Sequence, residues 1–441
     1  MFIEIKMDNL YGISVPIELN FISQSRNKDK LSSVIEIEKG IYVNKLIGII
    51  SGNAGGKTSF VKGLDLLKEI LIYPILQFDI NDKIYSIKKL LENNSSLENH
   101  KLVREALDNI NSSVDIGVQN LKRKNFDTTI EVLMYISQKK TKLDGYYRYK
   151  VVFNGLQKKI KSEIFTYKKQ YKEKEKIIID MKDAKEGQLY YINRYYKNIE
   201  DIEIEKEKKI ELEEKYKYCK VFVEHYIESS AILDTNVENN HKELKYIDWL
   251  KKSPTFFKTL TRVVDSKIRD VVIDSDNRYE ELMFVLEDGS KIKRSMLSQG
   301  TEKFLSVSRY VTDIIEKNGF LVIDEIEQNL HKDLVEFIIK LFSEITRNNS
   351  QIIFTTLSPD IFDIVDIDNK KIFKQDSIFV IDSCRYDIKV QKLIELKIDG
   401  ERVKSDASVT NLFRNKKISC HPDKNQIDKF IYDFKENLFD F

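Results

Sequence analysis

The eight residues Ser51-Gly52-Asn53-Ala54-Gly55-Gly56-Lys57-Thr58 constrain this chain more than any other stretch. They lie between an apolar run, Leu46 to Ile50, and an amphipathic run in which Phe60, Leu64, Leu67 and Leu71 share one face of a helix. A loop whose backbone N–H groups curl around a polyanionic phosphate needs residues without bulk, and glycine or alanine fills Gly52, Ala54, Gly55 and Gly56. The order strand, loop, helix is that of a P-loop, G-x-x-x-x-G-K-[ST], with Ser51 where the first glycine should stand. Lys57 is expected to bring a point charge to the β and γ phosphates of ATP. The Thr58 hydroxyl is expected to ligate Mg2+ at a helix N-terminus that already favours anions. The expected ATP-binding set runs from Ser51 and Gly52 through Asn53, Ala54, Gly55, Gly56, Lys57 and Thr58 to Ser59.

Phe320-Leu321-Val322-Ile323-Asp324-Glu325 is an apolar strand ending in two carboxylates. Opposite a P-loop, Asp324 is placed to hold Mg2+, directly or through water, and Glu325 to orient or deprotonate the attacking water. Alone, such a strand end is a weak signal. A helix carrying Leu334, Ile338, Leu341 and Ile345 then leads to a second strand, Gln351 to Thr356, and completes a βαβ unit with the carboxylates at a strand's C-terminal end. Ahead of it, Leu297-Ser298-Gln299-Gly300-Thr301-Glu302 opens a helix with Phe304, Val307, Val311 and Ile314 on one face; taken by itself this is a serine-capped helix.

At 441 residues the chain has room for about two to three domains, or one interrupted domain. Its net charge of +2 gives no reason to expect bulk attraction to nucleic acid or membrane, so any basic surface must be local. Charged residues at 33%, apolar residues at 41% and only five prolines fit a folded, helix-rich protein. Cys219, Cys384 and Cys420 are too scattered for a disulfide framework or a metal motif, and His421 beside Cys420 reads as a surface pair. The N-terminus alternates like a strand, and no apolar run reaches membrane-spanning length. A cytoplasmic protein without membrane contact is expected.

Between these motifs, Thr129 to Ile136 and Tyr147 to Phe153 flank a link ending in Asp144-Gly145, as an antiparallel hairpin would, and strand-like runs follow at Ser162 to Tyr167 and Ile177 to Met181. Residues 80 to 124 read as helical pieces. From about 185 to 232 a long charged helix is expected, with Ile192, Tyr195, Ile199 and Ile202 at coiled-coil spacing; its charges read first as a solvated face held by i,i+4 pairs, with a short helical hairpin projecting from the core as the alternative. Lys158, Lys159, Lys161, Lys168, Lys169, Lys172, Lys174 and Lys176 interleave with Phe165, Tyr167 and Tyr171, the composition of a phosphate-contacting surface with stacking rings, although the whole chain is rich in lysine. The expected division is an N-terminal lobe over 1–183 with the P-loop and a β-hairpin subdomain, a charged helical insertion over 184–260, and a C-terminal lobe over 261–441.

Leu297-Ser298-Gln299-Gly300, at its spacing before Asp324-Glu325, resembles the Leu-Ser-x-Gly signature of ABC-type ATPase heads. Asn53 in the loop, Gly300-Thr301, Asp324-Glu325-Ile326-Glu327 and Leu330-His331 are similar to the RecF-like and OLD-like AAA family ATPases of bacterial phage-defence operons. Lys374-Gln375-Asp376-Ser377-Ile378 and Asp406-Ala407-Ser408 through Phe413 look like that family's tail. The resemblance implies an α/β ABC-ATPase head, a P-loop mixed-sheet core with an antiparallel β subdomain, interrupted by a helical insertion of coiled-coil character. It implies that Ser298, Gln299 and Gly300 act in trans on ATP held by a second subunit, giving a homodimer or higher even oligomer. It also implies a separate effector protein from the same operon, with DNA or a phage component as a further partner; OLD proteins carry a fused Toprim nuclease after the ATPase, and too little chain is expected beyond Ser383 for one here. A RecF- or SMC-like repair ATPase and a nucleotide-locked scaffold are the alternatives. The chain departs from the family where a histidine usually follows the two threonines, since Leu357 stands there, and where Lys332 replaces a proline after His331. Gln77 and Gln138 are the candidates for the Q-loop glutamine.

Overall fold

A computed structural model describes residues 1–10, 16–24, 33–52, 56–72, 127–137, 143–154, 159–184, 206–233, 242–274, 280–344, 349–382, 389–398, 400–404 and 407–415, with the single positions 192, 418 and 429. In chain order the elements are β1 (Phe2–Asp8), β2 (Ile17–Asn20), β3 (Val34–Glu38), β4 (Ile41–Asn44), β5 (Leu46–Ser51), α1 (Lys57–Ile72), β6 (Asp127–Ile136), β7 (Gly145–Asn154), β8 (Lys159–Lys168) and β9 (Lys176–Ala184). Then come α2 (Lys206–Glu228), β10 (Ser230–Leu233), α3 (Lys242–Lys252), α4 (Pro254–Val264), β11 (Ile268–Asp274), β12 (Glu281–Leu286) and β13 (Lys291–Lys293). The C-terminal part holds α5 (Gln299–Lys317), β14 (Phe320–Ile323), α6 (Lys332–Glu344), β15 (Gln351–Thr356), β16 (Ile378–Asp382), β17 (Lys389–Lys392), β18 (Lys397–Ile398), β19 (Glu401–Arg402) and α7 (Val409–Arg414).

The P-loop strand β5 and the carboxylate strand β14 belong to one six-stranded sheet of order β10-β14-β15-β5-β16-β17, parallel except for β17. Such a sheet is covered on both faces, which is why β5, β14 and β15 are apolar runs buried throughout. Alternation along each strand divides their side chains between two cores. Ile47, Ile49, Phe320, Val322 and Ile353 join the core that contains β1, α1 and α2, whereas Leu46, Ile50, Leu321, Ile323, Ile352 and Phe354 join the one built with α3 to α6. A second six-stranded sheet, β2-β1-β6-β7-β8-β9, is antiparallel throughout. The hairpin expected at 129–153 is its β6–β7 pair. The fold class is therefore the expected one: α/β, with a mixed sheet behind the P-loop and an antiparallel β subdomain.

Helix α2 fills the space between the sheets. Phe222 sits 5.2 Å from the Phe165 ring and 5.7 Å from Tyr149, while the Tyr226 hydroxyl donates to the Leu64 carbonyl of α1 at 2.9 Å. Gln351, fully buried, ties the two sheets together: it accepts from the Phe2 N–H at 2.7 Å and donates to the carbonyls of Phe2 and Asn44. The helix read to residue 232 ends at Glu228, and Ser230–Leu233 instead forms β10, in parallel register with β14. Four residues are too short for a periodicity to separate strand from helix, and only pairing with β14 decides it. The coiled-coil spacing at Ile192 to Ile202 and the helical pieces expected over 80–124 lie outside the described residues, Ile192 excepted. No helix among the described residues is long and apolar enough to cross a membrane.

Candidate functional site

Strand β5 delivers the loop and α1 receives it. Gly56 takes φ +87°, a left-handed conformation that glycine adopts without steric cost, and the Phe60 N–H bonds back to its carbonyl at 3.0 Å to begin the helix. Lys57 is buried, and its ammonium donates to Ser51 O and Ser51 Oγ, each at 3.1 Å, and to Gly52 O at 2.9 Å. The serine at the first glycine position thus supplies an acceptor for the lysine, while its own hydroxyl donates to Gly52 O at 2.9 Å. Burial pushes the Lys57 pKa down from the usual lysine value, and the charges of Glu325, Asp324 and Glu327 oppose that shift. Thr58 is exposed at the start of α1 with Ser59 beside it. Asn53, Ala54 and Gly55 lie outside the described residues.

Asp324 follows β14 directly and is 1% exposed. Its Oδ1 accepts from the Thr355 hydroxyl at 2.5 Å, and its Oδ2 is buried with no hydrogen-bond partner among the described residues. A buried, unpaired carboxylate oxygen is costly, and a divalent cation is a partner that relieves it. Asp324 and the Thr58 hydroxyl are hard oxygen donors and fit Mg2+. Glu325 comes next at φ +45°, a conformation uncommon for a residue with a side chain. It is fixed from three directions: its N–H donates to Thr355 Oγ1 at 2.8 Å, and its carbonyl accepts from the Gln328 N–H at 2.8 Å and from Lys303 Nζ at 3.4 Å. Strain of this kind persists where the surroundings over-determine it.

Helix α5 begins at the Leu297-Ser298-Gln299-Gly300 segment. Ser298 caps it, its Oγ accepting from the Thr301 N–H at 3.1 Å, and Ser298 and Gln299 are both exposed. Gly300 is needed for close approach, because a Cβ there would stand 2.9 Å from the Asn329 carbonyl. This segment therefore packs against the loop that follows the carboxylates in the same chain, with Ser298 exposed to solvent. One turn further, Lys303 joins the cluster. Burial lowers its pKa, opposed by Glu327, Glu325 and Asp324.

Lys57, Asp324, Glu325 and Thr58 are thus gathered at the C-terminal ends of parallel strands, with β15 between the two halves. Thr355 and Glu327 are contributions that sequence reasoning gave no role; the only available signal for Glu327 was a third carboxylate in Asp324-Glu325-Ile326-Glu327. Glu327 Oε1 accepts from the Leu357 N–H at 2.6 Å. Lys332, in the place of the usual proline, pairs with Asp360 at 2.7 Å. Gln77 and Gln138 lie outside the described residues.

Among the described residues near 159–176, two of the three rings that interleave with the lysines are not available for stacking. Phe165 and Tyr167 are buried, Phe165 against Phe222 and Tyr167 against Tyr218, so they are withdrawn from any base. Lys161 pairs with Asp127, Lys176 with Glu214, and Lys168 lies over the Tyr146 and Tyr171 rings. The interleaving that looked like a basic platform is strand alternation, with aromatic side chains on the inner face of β8.

Residues 228–363 match the family described as "AAA domain, putative AbiEii toxin, Type IV TA system". No curated protein matches the chain. Among solved structures, the chain is similar to an SMC head bound to the C-winged helix domain of ScpA, at 11% identity over 88% of this chain and 96% of that one, with a TM-score of 0.41. It is similar to the SMC head domain from Thermotoga maritima at 9% identity over 89% and 98%, with a TM-score of 0.39. A third likeness is to an SMC head with an extended coiled coil bound to the C-terminal domain of ScpA, derived from Pyrococcus furiosus, at 12% identity over 88% and 95%, with a TM-score of 0.40. The family match begins at Glu228, beside β10, and takes in Leu297–Gly300, Asp324-Glu325 and β15, so the segment that builds the carboxylate half of the candidate site is similar to that AAA-domain family.

Proposed function

We propose that this chain is an ABC-type ATPase head that binds and hydrolyses ATP with Mg2+. The observation that carries the reading is the convergence of the P-loop lysine with Asp324 and Glu325 at the ends of β5 and β14, with one carboxylate oxygen buried and unpaired. Lys57 exchanges its loop carbonyls for phosphate oxygens, and Asp324 and Thr58 hold the cation. When bound, Mg2+ neutralises charge on the phosphate oxygens. Glu325, fixed in its left-handed conformation, orients the attacking water and takes its proton.

Ser298 and Gln299, exposed at the capped N-terminus of α5, are available to a nucleotide held by another molecule, which supports a homodimer closed on two ATP. In this reading the head is the sensor or regulator of a separate effector in an antiphage defence system, as its resemblance to RecF- and OLD-like ATPases implies. Steady-state phosphate release from wild type, Lys57→Ala and Glu325→Gln tests the enzyme: wild type should be fastest, and a wild type no faster than Glu325→Gln removes hydrolysis from the proposal. Sedimentation of Glu325→Gln with ATP tests the closed dimer, and a sole monomer at micromolar protein counts against it. One observation favours a second reading, the nucleotide-locked scaffold. Leu357 places no side-chain donor at the end of β15, and the first experiment separates the two readings.

A further inference from the structure

Three carboxylates follow β14, and the third has no part in the mechanism above. Glu327 reaches across to β15, where its Oε1 accepts from the Leu357 N–H at 2.6 Å; its Oε2 is buried with no hydrogen-bond partner among the described residues. The loop from 324 to 327 is stitched to the end of β15 at two other points, the Thr355 hydroxyl and the Thr355 carbonyl, which accepts from the Ile326 N–H at 3.1 Å. Of these bonds to β15, only that of Glu327 is made by a side-chain carboxylate at the far end of the loop. A carboxylate accepting from a backbone N–H is among the stronger hydrogen bonds. Leu357 stands two residues beyond Thr355, whose hydroxyl bonds both Asp324 Oδ1 and the Glu325 N–H. Lys303, from helix α5, donates to Glu325 O at 3.4 Å, so α5 is drawn into the same cluster.

We propose that Glu327 is a positioning residue for the hydrolytic step: its acceptor oxygen clamps the Leu357 amide and so sets the loop that carries Glu325. Position 357 then serves through its backbone, and a leucine suffices there. The proposal rests on the ATPase reading and adds a residue to it.

Two substitutions separate the clamp from a simple charge. Glu327→Gln keeps an acceptor oxygen at full reach and loses the charge; Glu327→Asp keeps the charge and falls one methylene short. Turnover and ATP KM would be measured on the full chain, together with hydrogen exchange of the peptide spanning 351–358. The clamp predicts that Glu327→Asp loses at least about tenfold in kcat with little change in KM, since small misplacements of a positioned group cost up to about 10²-fold. Its Leu357 amide should exchange faster. Glu327→Gln should stay close to wild type in both. The reverse pattern, or equal loss in both variants, overturns the clamp, as does unchanged exchange in Glu327→Asp. A wild type no faster than Glu325→Gln would instead sink the ATPase reading, and the positioning role with it, whatever the exchange data show about the Glu327 bond.

Discussion

Replacing Thr355 with valine removes one hydroxyl and almost no volume, yet that hydroxyl serves two buried groups at once. It donates to Asp324 Oδ1 and accepts from the Glu325 N–H. Valine can do neither, so an amide and a carboxylate oxygen are left unsatisfied between β14 and β15. Each buried group stranded in this way costs about 1–3 kcal/mol, more if charged, which places the loss for the two at roughly 2–6 kcal/mol. Glu325 is also released from one of the three bonds that hold it at φ +45°. Turnover should therefore fall further than nucleotide affinity, by up to about 10²-fold. Urea unfolding followed by circular dichroism gives the first quantity, and phosphate release across an ATP titration gives the second. Thr355→Ser, which keeps the hydroxyl, is the control and should restore most of both. A Thr355→Val protein within about 0.5 kcal/mol of wild type, the range of neutral surface changes, refutes the bridging role, and so does an equal loss in the serine variant.

His225 is buried beside the Phe320 ring; burial, and secondarily the charge of the Met1 amine, push its pKa well below the usual histidine value. The folded state therefore refuses a proton that the unfolded chain accepts below about pH 6.5, and stability contributed by the neutral ring is lost as pH falls through that point, by up to about 1.4 kcal/mol per pH unit. Unfolding at pH 7.5 and 5.5 should show a smaller loss for His225→Phe than for wild type; equal losses exclude this ring as the source. In β5, a Cβ on Gly48 would stand 2.1 Å from Phe362 Cε1, so Gly48→Ala should destabilise by about 1–3 kcal/mol, and adding Phe362→Leu should recover part of it. An additive double mutant would show that the ring is not what Gly48 accommodates. Asp363 accepts from the Ser408 and Thr410 hydroxyls and from the N–H groups of Val409 and Thr410, and so anchors the start of α7. Asp363→Ala should speed hydrogen exchange over 407–415 by about tenfold, the equivalent of one lost cap, and unchanged protection would show that the tail is held elsewhere.

Lys57, Asp324, Glu325 and Ser298 stand out in the sequence as candidates because each sits in a short stretch whose chemistry is local. Phosphate binding needs a loop of small residues between strand and helix, a cation needs carboxylates at a strand end, and a helix start needs a cap. The antiparallel hairpin at 129–153 was legible for the same reason, through alternation and a turn glycine. Tertiary structure alone decided what depends on residues far apart in the chain. It inserted β15 between β5 and β14, recruited Ser230–Leu233 as the edge strand of the same sheet, turned Phe165 and Tyr167 inward against α2, and joined Glu327 to the Leu357 amide. Four apolar residues do not encode their neighbour, and a ring on a strand does not encode which face will be covered. Both follow from which surfaces exclude water when the sheets close. The chain by itself therefore determined the chemical groups of the candidate site, whereas packing determined the partners that aim them.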